Sequence, residues 1–145
     1  MRLHHTKNKG DIGVFRAQAD LAERGYTVLV PQTEHETFDL VAYSDGLFHR
    51  VQVKYRTAKA GTVTVQLRNS WADRHGVHIN KLDKSSVDAV CVYCPETQTC
   101  YYLDPHAHGT SVMLRLEPTR NSQVQGVLWA RDFMEFPPRP LSSVG

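Results

Sequence analysis

No stretch of the sequence approaches the roughly 18 consecutive apolar residues of a membrane span, so no membrane partner is expected. The N-terminal MRLHHTKNKG has no apolar segment and does not read as a secretory leader. The chain therefore reads as cytoplasmic. Charge of one sign is also scarce: the formal net charge is +2, too small to argue for a nucleic-acid partner by itself. Cysteine is sparse, with three in all, at positions 91, 94 and 100. Cys91 and Cys94 have CxxC spacing, but no second pair and no spaced histidine pair completes a zinc set. They lie in VDAVCVYC, which reads as a buried strand. Positions i and i+3 of a strand face opposite ways, so these thiols are expected in the core rather than on one ion. Internal repeats, a nucleophile elbow and a ββα-metal arrangement are all missing, which leaves serine, cysteine and HNH-type hydrolases unsupported.

What is there fits one soluble domain. The 145 residues are 41% hydrophobic and 22% charged, enough for a single core. The cations are unevenly spread: Arg2, Lys7 and Lys9 crowd the N-terminus, and Arg50, Lys54, Arg56 and Lys59 crowd a central segment. Local patches of this kind can hold phosphate in a chain that is nearly neutral overall.

Periodicity predicts a helix from Asp11, as cap, to Gly25, as terminator, with a stripe of Val14, Ala17, Gln18, Leu21 and Ala22. A strand over 26–30 follows. The segment 61–69 alternates as a strand, while 70–86 reads as a long loop or short helix. Residues 87–94 and 99–104 read as a second hairpin, 111–116 as a strand, and 127–136 as a short terminal helix. A single domain over 1–136 with a disordered tail over 137–145 results. The element order gives an α/β or α+β class.

The informative stretch is FDLVAYSDGLFHRVQVKYR, residues 38–56. Asp45-Gly46 is a strong two-residue hairpin turn. With that turn, facing positions sum to 91, and Asp39 lies opposite Gln52. Lys54 shares the face of Gln52, two residues on, while Leu40, Ala42, Val51 and Val53 take the other face. An acid, an amide and a lysine thus meet where a sheet needs none of them. A carboxylate, an amide oxygen and the Val53 carbonyl are hard donors suited to Mg²⁺. A lysine beside them can orient or deprotonate water, or neutralise a pentavalent phosphate. The same geometry also reads as a surface salt bridge between Asp39 and Lys54. Glu34 and Glu36, just upstream, either extend the metal site or belong to a solvated loop.

The helix, the strand, the F-D step and the hairpin ending in Q-V-K resemble the PD-(D/E)XK nuclease superfamily. TKNKGDIGV, GYTVLVPQTEHETFDLVAY, RVQVKYR, SWADRHGVH and DAVCVYCPET look most like its group I intron-associated homing endonucleases, over about residues 6–135. The resemblance implies a restriction-endonuclease-like core, a mixed central β-sheet flanked by helices. It places the metal-binding aspartate on Asp39, the second ligand on Gln52 and the catalytic lysine on Lys54. Phe38 stands where the nominal motif has proline. A glutamate often found in the first helix falls on Val14, and Asp11, one turn earlier, is taken as its substitute, ahead of Gln18. The implied activity is Mg²⁺-dependent hydrolysis of double-stranded DNA at a specific site, with Mn²⁺ able to substitute. Lys9, Arg50, Arg56, Lys59 and Arg68 would hold the DNA backbone. Cutting both strands calls for two active sites, hence a homo-oligomer, a dimer or a tetramer. A DNA-binding relative without catalysis and a structure-selective Holliday-junction resolvase are the alternative readings.

Overall fold

The computed structural model describes residues 5–73, 76–81, 84–118 and 126–138, with side chains described for 8–67, 85–118 and 126–138. A single α-helix among the described residues, α1 (His5–Glu23), precedes ten strands. Its contact face is Gly13, Ala17 and Leu21, spaced by four, with Ile12 and Val14 on the shoulders. Gly13 faces the sheet, where a Cβ would make ordinary van der Waals contact, 3.4 Å from Val53 Cγ1 and 3.5 Å from Tyr55 Cβ. The helix lies directly on the sheet. The helix ends where expected. Gly25 has φ +94°, its N–H donates to the Ala22 carbonyl at 3.0 Å, and Tyr26 N–H donates to Leu21 at 3.0 Å, a Schellman stop.

The start differs from expectation. The helix begins at His5, so Asp11 is an exposed residue of its second turn and not its cap. The buried stripe is also rotated by one position, from Val14 to Gly13, and Ala22 is exposed. The cause is tertiary: the helix packs on Val53 and Tyr55 through Gly13.

Strands β1 (Thr27–Leu29), β2 (Leu40–Ser44), β3 (Leu47–Tyr55), β7 (Ala89–Cys94) and β8 (Thr99–Leu103) form one mixed sheet in the order β1-β2-β3-β7-β8. Only the β3–β7 pairing is parallel within it. The β2–β3 turn is Asp45-Gly46, with φ of 51° and 83°, the signs a type I′ turn requires. Ser44 pairs with Leu47 and Leu40 with Val51, the register read from the sequence. Strands β4 (Thr62–Gln66), β9 (Ser111–Arg115) and β10 (Leu128–Trp129) form a second sheet in the order β10-β9-β4.

Every residue of β7 is buried, because it is covered on both faces. On one side Cys91 joins Ala17, Leu21, Leu40 and Val51 beneath α1. On the other, Val90, Val92 and Cys94 pack with Val63, Val65, Val112 and Leu114 of the second sheet. The two cysteines of the CxxC step therefore face apart, and all three thiols are buried and free. The α/β class with a mixed central sheet holds. The layer opposite α1 is a sheet rather than another helix among the described residues.

Two other expectations are corrected. Within 70–86, residues 70–73 and 76–81 are strand rather than loop or helix: β5 (Arg68–Asp73) pairs antiparallel with β6 (Gly76–Lys81), Trp71 in register with His78, and Lys84–Ser86 forms a short 3-10 helix. A two-stranded ribbon satisfies its backbone by its own ladder and needs no long apolar alternation. Residues 127–136 are helical only in part. They form the two-residue β10, held parallel to β9, and a 3-10 turn over Ala130–Phe133. Phe136 then packs edge-on against Tyr26, His49 and Tyr102. Of the expected tail, residues 139–145 lie outside the described residues. No described helix is long and apolar enough to cross a membrane.

Candidate active site

The β2–β3 ladder stops at Leu40 and Val51. Asp39, one residue upstream, closes that open end. Its backbone N–H donates to the Val51 carbonyl at 2.9 Å, and its Oδ2 accepts the Val53 N–H at 2.7 Å. A side chain thus takes the ladder position that a backbone carbonyl would hold. Alternation along β3 turns the Val53 carbonyl to the same side as its N–H. The half-buried carboxylate therefore sits at the turn of β3 that carries Gln52, Val53 and Lys54.

Gln52 is fixed by its amide nitrogen, which donates to the Thr37 carbonyl at 3.2 Å. Its Oε1 is buried and has no hydrogen-bond partner. A buried acceptor in that state costs about 1–3 kcal/mol, so it is a strong local signal. Gln52 Oε1 is thus open, while the Asp39 carboxylate has one oxygen taken by the Val53 N–H.

Lys54 completes the group. Burial, and then the neighbouring Arg56 charge, push its ammonium down to about 8, against the opposing pull of Asp39. Burial raises the Asp39 carboxyl in turn, opposed by the Val53 N–H and by Lys54. Yet no ion pair within 4.0 Å joins them among the described residues. Two half-buried opposite charges sense each other without touching, so a direct salt bridge does not account for their placement.

Two clefts of opposite character flank this group. One, of about 460 Å³, is lined by Asp11, Glu34, Glu36 and Asp39, with Val14, Phe15 and Val30 as an apolar wall. Asp11 therefore shares a cleft with Asp39, but no three His, Cys, Asp or Glu side chains among the described residues converge as a metal-holding group. The second cleft, of about 250 Å³, is lined by Lys9, Arg56 and Lys59 together with Tyr55, Thr57, Thr62 and Thr64. Three of the five cations expected to hold DNA thus meet in one place. Arg50 does not join them. Its guanidinium grips Asp88 through Nε at 3.0 Å and Nη2 at 3.1 Å, and reaches the Ser85 carbonyl at 3.1 Å. Those hydrogen bonds hold the Asp88 carboxyl below its ordinary range. The side chains of Arg68 and of His78 lie outside the described residues, as does His75. The three threonines of the basic cleft were not singled out from the sequence. For two of them, Thr62 and Thr64, the signal was present in the alternating TVT of β4.

Comparison with known proteins bears on the family and the fold. The family model of the PD-(D/E)XK endonuclease matches residues 4–136. Among solved structures, a bacterial homing endonuclease, I-Ssp6803I, is 25% identical with a TM-score of 0.72, covering 83% of this chain and 85% of that one. No curated protein matches the chain.

Proposed function

The chain belongs to the PD-(D/E)XK endonuclease family, and from that premise we propose that it hydrolyses double-stranded DNA with Mg²⁺, at a specific site in the manner of homing enzymes. The observation that carries this reading is the orphaned Gln52 Oε1. A buried acceptor left open beside a carboxylate, with a lysine that stops short of pairing with it, fits a cation held by oxygen. Asp39, Gln52 Oε1 and the Val53 carbonyl would hold Mg²⁺, or Mn²⁺ in its place, with water filling the remaining positions. Bound there, the ion supplies Lewis-acid polarisation of the phosphate and lowers the pKa of a bound water.

The chain's own residues do the rest. Asp39 is locked by the Val53 N–H, so its charge is held without side-chain search. Lys54, with an ammonium brought to about 8, can take a proton from the attacking water near neutral pH or hold one against the developing phosphate charge. One chain offers one such group, so a double-strand cut requires a second copy, as a dimer or a tetramer. The test is conversion of supercoiled plasmid to nicked or linear product with Mg²⁺ or Mn²⁺ and its loss in EDTA. Intact plasmid under both metals would sink the reading.

A second reading rests on Val14. This apolar residue lines the acidic cleft at the position where relatives often carry a glutamate. A metal site with one charged protein ligand binds weakly, and a DNA-binding protein without cleavage is then the outcome. It is favoured if DNA binding persists in EDTA while every metal leaves plasmid intact.

Gln52→Met separates structural and metal-holding roles for the amide. Removing an unsatisfied acceptor favours the fold, and losing the Thr37 bond opposes it by about 1 kcal/mol. The metal-free melting temperature is expected to stay the same or rise. The upward shift that Mn²⁺ gives the parent protein is expected to vanish, read by thermal denaturation with and without the ion. Arg50→Gln is expected to lower stability by about 1 kcal/mol in urea melts, because it breaks the Asp88 clamp. DNA affinity should stay within about twofold, since only phosphate contacts carry that term.

A further inference from the structure

The two clefts beside the active site differ in sign, and that difference assigns a path to the DNA strand. We propose that the Lys9–Arg56–Lys59 cleft is a phosphodiester subsite. In it sits a backbone phosphate next to the reactive one, on the strand that then passes over Lys54 toward Asp39. This deepens the nuclease reading above and rests on it for the position of the reactive phosphate.

The spacing supports it. The β3–β7 pairing continues past β3, since Arg56 N–H donates to the Tyr93 carbonyl at 2.9 Å. Arg56 therefore keeps the face of Lys54, two residues on, a separation of roughly 6.6 Å along a strand. That is of the order of the distance between successive phosphates on one DNA strand. Arg56 is also uncommitted to acid: its Nη1 donates to the Tyr55 carbonyl at 2.8 Å, and no carboxylate lies within 4.0 Å of it among the described residues.

The rest of the cleft is built to present donors. Lys59 sits on a tight turn through Ala60 (φ 52°) and Gly61 (φ 73°), closed by reciprocal backbone bonds with Thr62 at 2.8 and 3.0 Å. The backbone that carries its side chain is thereby fixed. Thr62 Oγ1 accepts from Arg115 Nη1 at 2.8 Å, which leaves the hydroxyl proton to donate. Among the described residues no acid lines the cleft: Glu96 is bound to the Ala58 N–H, and Glu117 lies against Gly61. A cleft of 250 Å³ takes a phosphate and part of its sugar rather than a base pair. On the far side, the cleft of Asp11, Glu34 and Glu36 has no lysine or arginine among its described lining residues, so it offers a phosphate no cationic side chain.

The experiment is fluorescence anisotropy of the full chain on a labelled duplex in EDTA, over a series of salt concentrations. Lys9→Ala and Lys59→Ala are each expected to weaken binding several-fold, alike on duplexes of different sequence. Each should lower the slope of log affinity against log salt by about 1, and the double variant by about 2. Glu34→Gln, in the acidic cleft, is expected to leave slope and affinity unchanged. Circular dichroism and urea melts identify any variant that fails to fold, and Lys59→Arg, which keeps the charge, should restore the slope. A double variant that folds and keeps the parent slope overturns the subsite, even if the parent cuts plasmid. A parent that binds through the cleft and never cuts DNA overturns the nuclease reading and leaves the subsite standing.

Discussion

Lys54→Met is expected to abolish DNA cleavage and to make the protein more stable at pH 7. The fold holds this ammonium half-buried, which moves it from 10.5 to about 8, equivalent to about 3 kcal/mol of unfavourable charging at neutral pH. Methionine keeps the length of the side chain and removes the charge. Asp39 then loses a favourable neighbour, so the net gain is smaller, about 1–2 kcal/mol in urea midpoints. The pH dependence has a definite sign. Between pH 8 and 10.5 the unfolded chain keeps the Lys54 proton and the folded chain sheds it, so the parent gains stability as pH rises through that window. The variant lacks this gain, and the gap between the two closes by about pH 10.5. Cleavage by the variant should fall by about a thousandfold or more, the scale of losing one charged group at a reacting phosphate. A variant less stable than the parent at pH 7, or one that still cuts, contradicts this account.

Asp39→Asn is expected to remove cleavage to a similar degree while leaving the fold in place. Asparagine can still accept the Val53 N–H through its oxygen, so the closure of the β2–β3 ladder survives. The negative charge offered to the cation does not. The melting-temperature rise produced by Mn²⁺ should be lost, and nicking of plasmid should fall by about a thousandfold, close to 4 kcal/mol in the barrier. Burial raises the Asp39 carboxyl above its ordinary value, so the folded chain holds this proton more tightly than the unfolded one. Stability from this group is therefore present at low pH and declines as pH rises through its two values. Without metal, the asparagine variant should match or slightly exceed the parent at pH 7. Retention of the full Mn²⁺ shift would place the ion elsewhere.

The hairpin was legible because one dipeptide determines it. Asp45-Gly46 adopts positive φ at both positions, and that geometry sets the register of every facing pair. Gln52 and Lys54 followed from it directly. Asp39 was placed within one residue: the ladder ends before it, and its side chain replaces the next backbone bond. That substitution is a tertiary event with no trace in alternation. The helix start was misread because Asp11 after Gly10 looks like a cap, whereas burial of Gly13, Ala17 and Leu21 carries the helix through both. The β5–β6 ribbon was missed because each of its strands offers only a few alternating positions. Arg50 and Asp88 lie 38 residues apart, and nothing local shows that the arginine is already taken. The family resemblance carried what geometry could not: which of several polar clusters on a sheet to propose as the one that reacts.

The burial of β7 on both faces has a practical outcome for following this protein as it unfolds. Its cysteines are divided between two compartments, Cys94 beneath the second sheet and Cys91 with Cys100 beneath the helix. In the closed molecule Cys91 and Cys94 offer no exposed surface to a thiol-modifying reagent, and Cys100 offers little. The order in which the sulfurs become labelled would therefore report which half of the sandwich opens first, without any added probe.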